Sequence, residues 1–278
     1  MHRYFPRLIF FLTLLFICLV SAARAQIVNI EEGRMGRDSS NHLAGQIGLD
    51  FSLYNQNAGK NQPSNYLQLT FKGDLAYNSV RHTFLFLNYF NYLLVNFNDH
   101  NQRNTIAQQG YSHLRTNLYQ ARRLSYELFV QAQADKARGL VWRSLEGGYL
   151  RFRLKRHKNK NINVFLGAGA MHEHEEWENP ELGQRIEVSN LTKWTSYVSA
   201  KFNLNQNVQA NAITYYQVGY SKIIDAFRNR VSGDISLAVK LNKVLAIKTS
   251  FNCTYEDRPI VLVTKFVYTL TNGIAINF

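Results

Sequence analysis

The sequence predicts an all-β protein, a transmembrane antiparallel up-and-down β-barrel of about 12 strands. Three observations predict it. Apolar residues recur at a spacing of two in segment after segment, an export leader stands at the N-terminus, and the last segment ends in Phe278 on its apolar face.

The first element is the leader. Arg3 and Arg7 precede an apolar run from Leu8 to Val20, and small residues follow up to Ala23, Arg24 and Ala25. That order is a signal peptide over 1–25, with cleavage expected before Gln26. The run is shorter than the roughly 20 residues a spanning helix needs. Cys18 lies inside it without the small residues that precede a lipoprotein cysteine, so no lipid anchor is expected. Residues 26–42, with Glu31, Glu32, Arg34, Arg37 and Asp38, are expected to form a periplasmic N-terminal segment or else to reach into the lumen. The barrel is expected over 43–278.

Cleavage removes three of the 32 basic residues and none of the 19 acidic ones, leaving 29 against 19, a formal charge of +10. An exported chain meets lipid phosphate rather than nucleic acid, so outer-membrane lipid is the expected polyanionic partner. Only Cys253 remains, which excludes an intramolecular disulfide. With 46% hydrophobic residues and no long apolar stretch after the leader, the apolar residues must be dispersed.

They are dispersed along strands. A spacing of two places alternate side chains on opposite faces. Leu43, Gly45, Ile47, Leu49, Phe51 and Leu53 alternate with Gln46, Asp50 and Ser52; Leu67, Leu69, Phe71 and Leu75 with Gln68, Thr70, Lys72 and Asp74. The pattern returns at Leu124, Tyr126, Leu128, Val130 and Ala132, at Ile235, Leu237, Val239 and Leu241, and at Leu245, Ile247 and Phe251. Candidate strands start near 43, 65, 82, 110, 124, 140, 162, 190, 208, 230, 244 and 264. An even count puts both termini on one side, here the periplasm. Many segments reach the length of a tilted strand crossing a bilayer.

Connections alternate too, as in barrels with short periplasmic turns and longer outer loops. Short turns fall near Asn78, at 120–123, at 203–207 and at 242–243; longer connections are expected at 55–64, 98–109, 174–189, 219–229 and 256–263. The short 135–139 and the long basic 155–161 break the rule. At the chain's end Tyr268, Leu270, Ile274, Ile276 and Phe278 share one face, which resembles the signal read by the outer-membrane insertion machinery of Gram-negative bacteria. That machinery is an expected partner.

A family resemblance rests on the middle of the chain: the stretches 108–117 (QQGYSHLRTN), 124–133 (LSYELFVQAQ) and 143–151 (RSLEGGYLR). They resemble an uncharacterised family of salt-induced outer-membrane β-barrel proteins (a domain of unknown function). The resemblance implies a barrel in the bacterial outer membrane and brings no functional residues.

A soluble secreted barrel would turn its greasy face inward, and alternation alone does not separate the two arrangements. The membrane version is favoured by Gln, Asn and charges on the polar face and by aromatics near strand ends, Tyr54, Tyr66, Tyr77, Trp142, Trp194 and Tyr255. If the leucines of the fourth and fifth strands meet lipid, His113, Arg115 and Asn117 point into the lumen beside Glu127, Gln131 and Gln133, with Arg143 from the next strand. Such a set is either a constriction or a packing of mutually satisfied charges. Facing in the sixth strand is least clean at Glu146.

Other chemistry is poorly supported. His172, His174 and Glu176 share a face on an extended strand but match no strong metal signature, so no metal and no cofactor is expected. Ser112 and His113 are adjacent and face opposite ways on a strand, and no nucleophile-elbow, P-loop or dinucleotide motif is present, so no catalytic residue is assigned. The expected role is a small passive channel or a structural envelope component. The alternatives are a barrel whose outer loops bind a partner or ligand and, further off, a lipid-modifying enzyme.

Overall fold

The computed structural model describes residues 42–55, 65–95, 104–156, 162–179, 183, 185–242 and 244–277. The predicted leader, the segment up to 41, the basic residues at 157–160 and Phe278 lie outside the described residues. Twelve strands follow in order: β1 (His42–Asn55), β2 (Asn65–Asn78), β3 (His82–Val95), β4 (Asn104–Leu118), β5 (Leu124–Asp135), β6 (Leu140–Arg156), β7 (Ile162–Asn179), β8 (Arg185–Asn203), β9 (Val208–Ser221), β10 (Ala226–Lys240), β11 (Leu245–Glu256) and β12 (Phe266–Asn277). Each pairs antiparallel with its sequence neighbours, and β1 meets β12 through Gln46↔Asn277 and Ile47↔Ile276, closing the ring. Closure lets each interior strand bond both neighbours, the condition a sheet must meet to stand in hydrocarbon.

The alternation sorts residues inside out. On β5, Leu128 is 58% exposed on the outer wall while Glu127, one residue earlier, is 1% exposed in the lumen. On β10, Ile235 and Leu237 face outward, and Asp234 and Ser236 are buried within. A barrel in water would reverse this placement, because uncovered Leu and Ile lose about 25 cal/mol for every Å² of apolar surface left in water. The fold is that of a transmembrane β-barrel.

Short turns close one end. After β8, Asn205 Oδ1 accepts from the backbone N–H of Asn207 (2.8 Å) and Val208 (2.7 Å). After β10, Asn242 Oδ1 does the same for Val244 (2.8 Å) and Leu245 (2.7 Å). Asn side chains that mimic a backbone turn explain why these connections stay tight.

At the opposite end three strands begin earlier than their alternation predicts: β4 at 104 rather than 110, β8 at 185 rather than 190, β10 at 226 rather than 230. The connections expected over 174–189 and 219–229 are therefore mostly strand, and only Lys222–Asp225 joins β9 to β10. Pairing continues beyond the apolar belt, as in Asn179↔Arg185, where the contrast between greasy and wet faces fades. A register shift between Leu140 and Trp142 changes the facing parity at the start of β6 and turns Leu140 inward. Glu146 faces outward.

Candidate lumen site

The interior is built in layers. The lower one centres on a single carboxylate. Glu127 accepts from Arg115 NH1 (3.2 Å), Asn117 Nδ2 (3.3 Å) and the Tyr197 hydroxyl (2.8 Å), and Arg151 Nε lies 3.6 Å away. Aromatic rings pave the same level: Phe129 and Tyr149 stack at 5.4 Å, Tyr149 meets Tyr197 edge-on at 5.1 Å, and Tyr197 meets Tyr215 at 5.5 Å. The Arg115 guanidinium lies 5.0 Å from the Phe129 ring centre and 5.2 Å from that of Tyr149. Buried Leu85, Leu87, Met171 and Ile213 complete this packing. Gly167 makes room for it, since a Cβ there would run into the Tyr197 ring.

The upper layer is an ion-pair network. Four cations, Arg143, Lys193, Arg228 and Arg230, share three carboxylates, Glu173, Glu175 and Glu256. Arg230 reaches Glu173 (2.6 Å), Glu175 (3.0 Å) and Glu256 (3.2 Å). Arg143 Nε donates to Glu175 at 2.8 Å, Arg228 pairs with Glu175 at 3.1 Å, Arg228 also holds Glu256, and Lys193 holds Glu173. Isolated charges in such a place would cost several kcal/mol each, on the order of what mutual pairing and hydrogen bonding return.

Over this network lies a small apolar cap. The 257–265 connection bends inward so that Val261 packs on Leu140 and Trp177. Arg228 Nε donates to the Arg258 carbonyl at 3.0 Å, tying the cap to the network below. Asp257 fixes its start by accepting from the Asn229 backbone N–H (2.8 Å) and Nδ2 (2.7 Å). Partial burial pushes the Asp257 carboxyl upward, but these donors outweigh it and hold the group below its ordinary range.

Between the layers lies a chamber. His113, Arg115, Arg138, Arg143 and Arg230 line it, and Glu256 is its one lining carboxylate among the described residues. Its open space for water centres is about 80 Å³, several times the ~10–15 Å³ that one water needs. Arg138 comes from the 3-10 turn Lys136–Arg138 at the rim opposite the short turns.

The structure places His113, Arg115, Asn117, Glu127, Gln133 and Arg143 inside and buried, and Gln131 inside and half-buried. His113 Nδ1 lies 2.9 Å from Gln131 Oε1, and Gln131 Nε2 donates to Gln133 Oε1 at 3.0 Å. Sequence reasoning missed Glu173, Glu175, Lys193, Arg228, Arg230 and Glu256. Glu173 and Glu175 were hidden in a string read as leading into a loop; carrying the inward register of Phe165 and Met171 onward to Trp177 would have placed both in the lumen. His172 and His174 face outward instead. His174 bonds Asn190 (2.8 Å) and Glu176 (3.2 Å), and no cluster of His, Cys, Asp and Glu suited to a metal occurs among the described residues. Ser112 points outward, donating to Asn88 Oδ1 at 2.8 Å, away from His113. On β12, Ile274 faces outward with Tyr268 and Leu270 on the same side, opposite buried Val267. The side chain of Ile276 lies outside the described residues.

No family model and no curated protein matches the sequence. Among solved structures, the chain is similar to an outer-membrane channel from Pseudomonas putida F1, at 8% identity and TM-score 0.45 over 91% of this chain and 98% of that one. It is similar to the NanC porin at 10% identity and TM-score 0.42, covering 84% and 97%. An anion-selective porin from Comamonas acidovorans matches at 10% identity and TM-score 0.37, covering 87% and 100%.

Proposed function

We propose that the chain is a narrow, passive channel of the bacterial outer membrane, closed in this state, with both termini on the periplasmic side where the short turns lie. The observation that carries the reading is the chamber. A barrel serving only as a structural element has no need of a water-sized space lined by Arg, His and amide side chains midway through its lumen. Arg115 is paired with Glu127, but the four cations of the upper layer share only three carboxylates and Arg138 adds its charge to the chamber wall, so the balance of charge along the pathway favours small anions. Membership of the salt-induced outer-membrane family, insertion by the barrel-insertion machinery and contact with outer-membrane lipid belong to the same proposal, which assigns no reaction to the chain.

Reconstitution of the purified mature protein in planar bilayers tests it. Small unitary conductance with an anion-selective reversal potential in a salt gradient is the expected result. A silent barrel leaves only the envelope-component reading, and a cation-selective potential removes the charge argument.

A further inference from the structure

The hydrogen bonds around the chamber specify more than a sign of charge. Gln131 Nε2 donates to Gln133 Oε1 at 3.0 Å, so its Oε1 is turned toward His113 Nδ1 at 2.9 Å. The ring therefore donates from Nδ1, and in the neutral imidazole Nε2 is left with a lone pair, an acceptor. His113 is 2% exposed, and that Nε2 is buried with no hydrogen-bond partner among the described residues. Stacking on Phe129 at 5.8 Å keeps the ring from turning away.

Donors dominate elsewhere in the chamber. Arg138 Nε is buried and without a hydrogen-bond partner among the described residues, and so is Nε of Arg115. The Arg138 guanidinium lies 5.8 Å from the Trp177 ring centre, and Arg143 and Arg230 repel its charge while Asp135 and Glu256 offset them in part. Burial first, and then Arg143, lower its affinity for its proton; an anion in the chamber relieves both costs. A cationic wall, a buried acceptor and a space of about 80 Å³ together select for a small ligand that is negative yet carries a hydrogen to donate.

We propose that this chamber is a binding site for a small oxyanion bearing its own hydroxyl hydrogen, of which phosphate is the simplest. Arg138 and Arg115, each with an unpartnered Nε among the described residues, face its charged oxygens, and His113 Nε2 accepts from its P–OH group. Both forms of phosphate present near neutrality carry that hydrogen, whereas sulfate matches the charge and lacks it. An acceptor that sulfate leaves unpaired penalises it, as an unmatched polar group in a recognition site does. The inference deepens the channel reading and rests on it for how the solute reaches the chamber.

Isothermal titration of the detergent-solubilised mature protein with phosphate, and separately with sulfate, over a chloride background tests the site. Saturable phosphate binding, stronger than sulfate by about tenfold or more, is expected. Arg138→Gln weakens both anions. His113→Phe, which keeps the stacked ring, brings phosphate down to the sulfate level. Arg122→Gln, on the inner turn outside the chamber, changes neither. Absence of saturable phosphate heat, equal binding of sulfate, or a phosphate preference that survives His113→Phe in correctly folded barrel overturns the proposal. Bilayer recordings separate the two readings. Conductance without any phosphate site removes the inference and keeps the channel; a phosphate site in a silent barrel does the reverse.

Discussion

Glu127, the carboxylate at the centre of the lower layer, takes bonds from Arg115, Asn117 and Tyr197 with Arg151 close by. Neutralising it removes the carboxylate that pairs the buried Arg115 guanidinium and lies beside that of Arg151. Breaking a buried pair on one side costs about 3–5 kcal/mol, more than the pair itself contributes. Glu127→Gln is therefore expected to lower the urea unfolding midpoint of the barrel in lipid vesicles by an amount of that order, and an unchanged midpoint contradicts the assigned network. Gly167 poses the steric counterpart. Its φ is ordinary strand, but a methyl group there meets the Tyr197 ring, which is wedged between Tyr149 and Tyr215. Overpacking of this kind typically costs about 1–3 kcal/mol. Gly167→Ala should lose stability on that scale, and Gly167→Ala with Tyr197→Phe should not recover it, because the clash is with the ring and not the hydroxyl.

Among elements, the 257–265 connection behaves as a cap whose anchoring responds to pH. Asp257 is held below its ordinary carboxyl range by the two Asn229 donors, so its contribution is fully present above the unfolded value near 3.8. It is lost as pH falls through the lower folded value. Acidification to that window should loosen the cap and raise conductance, while Asp257→Asn should flatten the response; identical acid profiles for the two proteins refute this anchoring. The elements themselves show what a sequence discloses. Strands β1, β2, β5, β10 and β11 were readable wherever lipid on one side and water on the other forced alternation. The end of β7, the start of β8 and the start of β10 were not, because there both faces meet polar surroundings and pairing alone sustains the strand. The missed site follows from that. Glu173, Glu175, Arg228 and Arg230 lie in those extensions or just inside them, so locating them required the strand register carried past the point where apolarity stops. His113, Arg115 and Glu127 were legible because they alternate with Leu114, Tyr126 and Leu128 inside the belt.

For the whole molecule, closure and inversion are one requirement. A ring of paired strands has no free edge to fray, while its apolar wall, with Leu49, Leu128, Ile235 and Ile274 uncovered, has no partner but hydrocarbon. The charges hidden inside stabilise the ring only while it is shut, since opening it would bring unpaired strand edges and polar lumen side chains into hydrocarbon and split Arg230 from Glu173 and Glu175 together. Unfolding is thus expected to be all-or-none and slow. In gels run with dodecyl sulfate, the unheated barrel should stay compact and migrate apart from the boiled chain, with no intermediate band as temperature rises. Glu175→Gln should shift the temperature of that conversion downward, because it removes the carboxylate shared by Arg143, Arg228 and Arg230. A mature chain that dissolves as a monomer without detergent, with one mobility whether boiled or not, is incompatible with an outward apolar wall and with every luminal role argued from it.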